Sequence, residues 1–565
     1  MKLTPLRQVC RLAASALVIL SSFSCVKVDT GVGANLIPLN DLYDIYSAEF
    51  PLTDIHMKML DSLSGYSNTR ITIGAIRDEE FGLTTRGCAL SLVPIPDTLD
   101  FGSNPKFKEF HFSAAHDTVS VADMRQMNII QNINVYELAQ PMNFNLVDLR
   151  TPIEHKSTRI TDGVPAYNGK DSLSFNFSKA FGEKYMQITQ DDLSDMETYL
   201  KKFPGIYIDT DTPEGLGGRI DMFQLQLGLN IDQGYITKNF AELKFSSEYK
   251  GVRKDTAFLF YLSPNDMLDL DSLAMIKSNY STYKFPQNCF NTVSHESTGR
   301  EVLAGETIHI EGGGGVKPVF SAQEIMDKVK AEVSKHGDPA TAVINRATIV
   351  LPFEFPEDYK EMYKYPDYLS PTCRISYSSG VSYASLTDVS STDEDPGKIN
   401  RSLLQYAPDI TFHVQKLMNL SKDANISNYD IWCLLMSTEE YVEETDNSSS
   451  MDDYYNYLSY MSYYNNMYGG YGMGYGGYGM GYGGYGMGYG GYGGYGYGGY
   501  GGYGMSNYYS YMLASQYANA NSGTSTSTSI EMDVHRYFNA ILNGPEAENG
   551  RVPMMKIVYA VPKQQ

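Results

Sequence analysis

The chain reads as an all-β protein: two tandem β-sandwich or jelly-roll-like regions, a few short helices, and a Tyr/Gly-rich disordered insertion. Three observations predict this. Apolar and polar residues alternate along several short stretches, as at Leu173, Phe175 and Phe177 or at Phe223, Leu225, Leu227 and Leu229, the period of a strand buried on one face. Helical spacing is confined to brief pieces between many such stretches, which indicates sandwiches rather than α/β architecture. Residues 468–488 repeat Tyr-Gly-Gly-Tyr-Gly-Met-Gly three times. That composition cannot hold a helix, since each interior glycine costs about 1 kcal/mol.

A length of 565 residues suits two to four domains. The expected division is a leader (1–24), a lipidated Cys25 with its tether (25–49), a first β-rich domain (50–298) and a second (299–565). Residues 454–529, Tyr/Gly-rich and then Ser/Thr-rich, interrupt the second. In the first domain, Arg70 to Gly74 is rich in β-formers, Ile133, Val135 and Leu138 bracket a strand, and Phe258 to Leu262 is a continuous apolar run, as expected of a strand covered on both faces. One helix is expected after Thr189, with Asp191 and Asp192 early, Lys201 and Lys202 late, and Leu193, Met196, Leu200 and Phe203 spaced along it. Those charges match the helix dipole.

The second domain opens with a strand from Thr307 to Ile310 and a tight turn at Gly312–Gly315. A capping box, Ser321 to Glu324, then leads a helix with Ile325, Val329 and Val333 on one face. Further strands are expected at 347–351, 410–414, 429–436 and 554–561, the last with Met555, Ile557, Tyr559 and Val561 on one face. The Ser/Thr run at 522–529 is read as polar linker.

The leader has a basic start (Lys2, Arg7, Arg11) and a short apolar run at 12–20. A bilayer core of roughly 30 Å needs about 20 residues, so this run is a signal peptide and not a membrane span. Ser22-Phe23-Ser24-Cys25 places small residues before a cysteine, as lipoprotein processing requires. Acyl chains on Cys25 contribute about 0.8 kcal/mol per buried methylene, enough in combination for stable anchoring. Val26 follows in place of an aspartate, which favours the outer membrane. Lys27 and Asp29 favour the cell surface over the periplasmic face. The competing reading is an ordinary secreted protein with an incidental Cys25.

Formal net charge is −22, and no basic stripe or arginine within the glycine-rich tract offsets it, so nucleic acid is excluded as a partner. The expected partners are the membrane, through the lipid, and another outer-membrane protein or a glycan. Beyond Cys10 and Cys25, four cysteines remain: Cys88, Cys289, Cys373 and Cys433. Three disulfide pairings are open to them, but isolated thiols with apolar flanks read better as buried small hydrophobes. No CxxC or Cys/His cluster points to zinc.

Catalytic patterns are missing. There is no His-Glu-x-x-His and no Gly-x-Ser-x-Gly, and no Gly-Lys-Ser/Thr follows the glycines at 312–315. Asp209, Asp211 and Glu214 have the oxygen density of a calcium site, but the spacing fails and a solvated loop is expected. Asp78, Glu79 and Glu80 could supply a glycosidase carboxylate pair. The simpler expectation is a turn in which Gly82 takes an unusual dihedral and Asp78 binds backbone amides. The sequence therefore points to one site residue, Cys25 for lipidation, with no catalytic residue, metal or cofactor.

Short phrases in a fixed order, namely Ile73-Gly74, Asp78-Glu79-Glu80-Phe81-Gly82, Asn134-Val135-Tyr136-Glu137-Leu138, Phe203-Pro204-Gly205-Ile206-Tyr207-Ile208 and Tyr365-Pro366-Asp367-Tyr368-Leu369, resemble a bacterial lipoprotein family, domain of unknown function 4270. The resemblance spans the chain from about Val32 onward, without the Tyr/Gly insertion. It implies an exported, lipid-anchored protein of gram-negative bacteria with no assigned reaction. The expected function is therefore a non-enzymatic structural or interaction lipoprotein. The alternatives are a glycan-binding or adhesive lipoprotein using tyrosines and, more remotely, a surface polysaccharide or peptide hydrolase acting through Asp78, Glu80 or Asp209.

Overall fold

The computed structural model describes residues 42–563, apart from 96–98, 118–120, 123–129, 143–147, 231–234, 280–283, 297–300, 378–379, 391–394 and 445–523. The leader, Cys25 and most of the Tyr/Gly insertion lie outside the described residues.

The first strand, Tyr43–Pro51, pairs antiparallel along its whole length with the last, Met554–Pro562. Met554–Pro562 also pairs with Val343–Pro352, and Gln405–Tyr406 completes a four-stranded sheet. The second strand, Ile55–Met59, lies against Val316–Phe320 at the edge of a six-stranded sheet. That sheet continues through Ile431–Glu444 to Tyr368–Tyr377 and Gly380–Ser385. Ile349 and Ile557 from one sheet share a core with Ile55, Phe320, Ile431 and Leu435 from the other.

After Met59 the chain leaves this body and builds a second one before returning at Thr307. In the second body a ten-stranded sheet faces a five-stranded one. Ile71, Ile73, Cys88 and Leu90 from the larger sheet pack with Phe110, Phe112, Leu243 and Phe260 from the smaller. The all-β class and the two sandwich-like regions are as expected. Their connection is nested, however: strands from residues 43–59, which a sequential division assigns to the tether and the first domain, complete the sheets of the C-terminal body. The reason is physical. The side chains of Tyr43–Pro51 alternate between exposed and half-buried along nearly its whole length, so it carries little apolar signal, and its partner lies at the opposite end of the chain.

Several strands form where period-two patterning places them. Leu173–Asn176 buries Leu173 and Phe175, with Phe177 just beyond its end. The run Ile-Trp-Cys-Leu-Leu-Met at the start of Ile431–Glu444 is apolar throughout because both faces are covered. Ile431, Cys433 and Leu435 enter the core of the C-terminal body, and Leu434 and Met436 enter the contact with the other body.

Four stretches depart from these expectations. Residues 410–414 are not a strand: Thr411–Met418 is a helix burying His413, Val414, Leu417 and Met418. Two carboxylates hold its first turn, Asp409 accepting from Thr411 N (3.0 Å) and Asp388 from Phe412 N (2.6 Å) and His413 N (3.2 Å), and Asp388 is remote in sequence. The helix after Thr189 is capped later, by Asp195, and spans Met196–Lys202. Thr189 and Asp192 instead bond to each other within a separate turn. The apolar alternation from Phe223 to Leu229 is interrupted between Gly217–Gln224 and Gly228–Asn230. Finally, residues 524–529 are strand and not linker, since Thr524–Met532 pairs with Ile431–Glu444 from Met532 opposite Met436 to Thr524 opposite Glu444.

The helix Ala322–Val333 forms as expected, with Ile325, Val329 and Val333 buried and Ser321 accepting from Glu324 N. The capping box is only half closed. Glu324 turns instead to Thr53 N (2.8 Å) and Asp54 N (3.0 Å), fastening the N-terminal segment to this helix.

Candidate functional site

The two bodies meet along a seam with its own apolar contact. Leu60, Leu63, Leu149 and Val293 pack there against Tyr383, Leu434, Met436 and Val534. Beside this contact lie charges that are almost wholly buried. Arg86, 3 % exposed, reaches across and donates Nη1 to the Val534 carbonyl (3.0 Å). Burial lowers its pKa to about 10, against the opposing pull of Asp533. Lys317, 1 % exposed, donates to the carbonyls of Gly313 (2.7 Å) and Gly315 (2.8 Å). Burial pulls its pKa down to about 7, with Glu311 opposing.

The glycine run at 312–315 is thus a tight turn whose carbonyls surround an ammonium, the inverse of a phosphate-binding loop. Gly313 adopts φ 58°, and a Cβ there would meet the Arg86 guanidinium at 3.0 Å. Sequence reasoning passed over Arg86 and Lys317. Their signal is present: each is a lone cation in an apolar strand (Thr-Arg-Gly-Cys-Ala-Leu; Val-Lys-Pro-Val-Phe).

Two clefts open on the seam. One, about 580 Å³, is bordered by Arg77, Asp78, Glu79, Glu80, Glu296 and His309. It contains the acidic triplet, and the turn geometry is as expected. Asp78 Oδ1 accepts from Glu80 N (2.9 Å) and Phe81 N (3.2 Å), and Gly82 has φ 69°. Asp78 Oδ2 lies 3.6 Å from buried Lys364. Glu296 is engaged by Arg77 (3.2 Å) and Leu83 N (2.8 Å). These carboxylates hold a hairpin together.

Asp209 lines neither cleft. It sits on the outer face of the ten-stranded sheet opposite Asn134, and burial raises its pKa. Asp211 accepts from Asn132 (2.8 Å) and Asn134 (3.0 Å), bonds that lower its pKa, and Glu214 is exposed. The structure therefore does not bring Asp78 or Glu80 together with Asp209. Among the described residues no group of three or more His, Cys, Asp or Glu is placed to hold a metal. The single tryptophan, Trp432, has Lys58 and Arg374 over its ring at 5.6 and 5.9 Å and Tyr383 at its edge, so its face is occupied.

The other cleft, about 280 Å³, lies between the segment Tyr66–Arg70 with Asn288 of the nested body and Ser437, Met532, Asp533 and His535 of the C-terminal body. Hydrogen bonds within the protein hold its walls. Ser67 Oγ accepts from Arg70 N (3.0 Å) and Thr69 N (3.3 Å), fixing the turn. Asp533 accepts from Ser437 Oγ (2.7 Å) and from the backbone amides of His535 (2.9 Å) and Arg536 (2.8 Å). No sequence signal could have found this cleft, because its walls come from four separated segments.

Cys88, Cys289, Cys373 and Cys433 are all free thiols. Burial raises the pKa of Cys373 to about 12 and that of Cys88 well above the ordinary value. No helix among the described residues is long and apolar enough to cross a membrane. No family model matches the chain, and no curated protein or solved structure does either.

Proposed function

We propose that this chain is a lipid-anchored protein of the outer membrane, displayed at the cell surface as a non-enzymatic structural or interaction module. The observation that carries the reading is the leader that ends just before Cys25. The ordered phrases that resemble a lipoprotein family support it, as does the acidic composition, which suits a crowded exterior. The strand Tyr43–Pro51 begins 18 residues after Cys25, and a chain of that length reaches at most about 60 Å. The lipid fixes position, the fused sandwiches provide a frame, and loops and clefts make the contacts.

The test is Cys25→Ala followed by fractionation. The variant is expected to accumulate as uncleaved precursor or to leave the membrane fraction. Normal processing with full membrane retention would defeat the reading.

A further inference from the structure

We propose that the 280 Å³ cleft at the seam binds a neutral, polyhydroxylated ligand the size of a single sugar ring. Size is the first constraint. Small-molecule sites run from roughly 300 to 1,000 Å³, so this one sits at the lower end and takes one ring, not a chain.

Charge is the second constraint. The cleft contains one cation and one carboxylate, and each is already neutralised by the protein. Arg70 Nε is bonded to Asp117 Oδ2 at 2.7 Å. Asp533 is held by Ser437, two backbone amides and Arg536 Nε at 3.3 Å. A strongly charged ligand would have to break one of these partly buried pairs, and removing one partner leaves the other uncompensated.

The remaining wall is chemically two-sided. Asn68 and Asn288 carry amides, Thr69 a hydroxyl and His535 an imidazole, all able both to donate and to accept. A sugar hydroxyl has the same dual character, whereas a carboxylate or an ammonium uses only half of such a set. Tyr66 and Met532 supply the apolar part. The Tyr66 ring packs T-shaped against Phe290 with centroids 4.9 Å apart, which fixes its place in the wall. Asn288 is held from behind, its Nδ2 on Asn265 Oδ1 (2.8 Å) and its backbone N on Ser263 O (2.9 Å), which keeps its amide oxygen directed by the fold. Because the walls come from both bodies, an occupant braces the seam.

This inference stands apart from the lipid anchor: an unacylated protein could bind and an acylated one could fail to. The test uses the full chain purified in detergent, probed with glucose, galactose, mannose and N-acetylglucosamine. Sulfate and glucuronate serve as charged controls, and saturation-transfer NMR and thermal shift are the readouts. At least one neutral sugar is expected to bind at millimolar concentration. Asn288→Ala and Asn68→Ala should each weaken it about tenfold, one hydrogen bond's worth, while both variants keep the far-UV circular dichroism of the parent. The proposal is overturned if no neutral sugar binds up to roughly 50 mM. It is equally overturned if the charged controls bind as well as the sugars, or if both folded variants bind like the parent.

Discussion

Asp221 is fully buried on the strand Gly217–Gln224, and neither of its carboxyl oxygens has a hydrogen-bond partner among the described residues. Burial raises its pKa from 3.8 to about 7, with Arg219 opposing. The sign follows from proton counting: between those two values the folded state holds a proton that the unfolded state has lost. The stabilisation is therefore complete below about pH 4 and lost as pH rises to about 7. Asp221→Asn should remove that decline, on the order of 2–4 kcal/mol across the window. Denaturant titrations at a series of pH values check it, and an unchanged slope in the variant would refute it. Sequence could not single out this residue, since the pattern Arg-Ile-Asp-Met-Phe reads equally well with the aspartate facing solvent.

At the scale of elements, legibility tracked how much of an element's fate is decided locally. The helix Ala322–Val333 carries its own cap and apolar stripe, and the run beginning at Ile431 is apolar on both faces. Each was readable. The helix Thr411–Met418 depends on Asp388 from elsewhere in the chain, and Ile410-Thr411-Phe412-His413-Val414 imitates a strand's alternation. Tyr43–Pro51 is strand only because Met554–Pro562 is there to pair with it. A chain beginning at residue 54 tests that pairing. Hydrogen exchange should show lost protection at the amides of 554–562 that face Tyr43–Pro51, while those facing Val343–Pro352 stay protected, and full protection at all of them would contradict the pairing.

For the whole molecule, the nested topology makes the seam a structural joint and not a flexible linker. Apolar contact, the Arg86 bond to Val534 and the Lys317 cradle lie side by side within it. Arg86→Ala removes the bond across the joint and leaves the Val534 carbonyl unpaired, at a cost of roughly 1–3 kcal/mol. Calorimetry should then resolve separate transitions for the two bodies, and one unaltered transition would contradict a joint held in this way. The linear sequence marks Arg86 and Lys317 only as lone cations in apolar strands and does not announce the joint, because residues from both halves must meet before it exists. The proposed anchor is the reverse case, read from 25 consecutive residues. Intact mass spectrometry of the N-terminal peptide, from protein extracted out of membranes, tests it most directly. The account predicts that the mature chain starts at Cys25 and carries acyl groups; a mature chain starting at any other residue, or an unmodified Cys25, would contradict it.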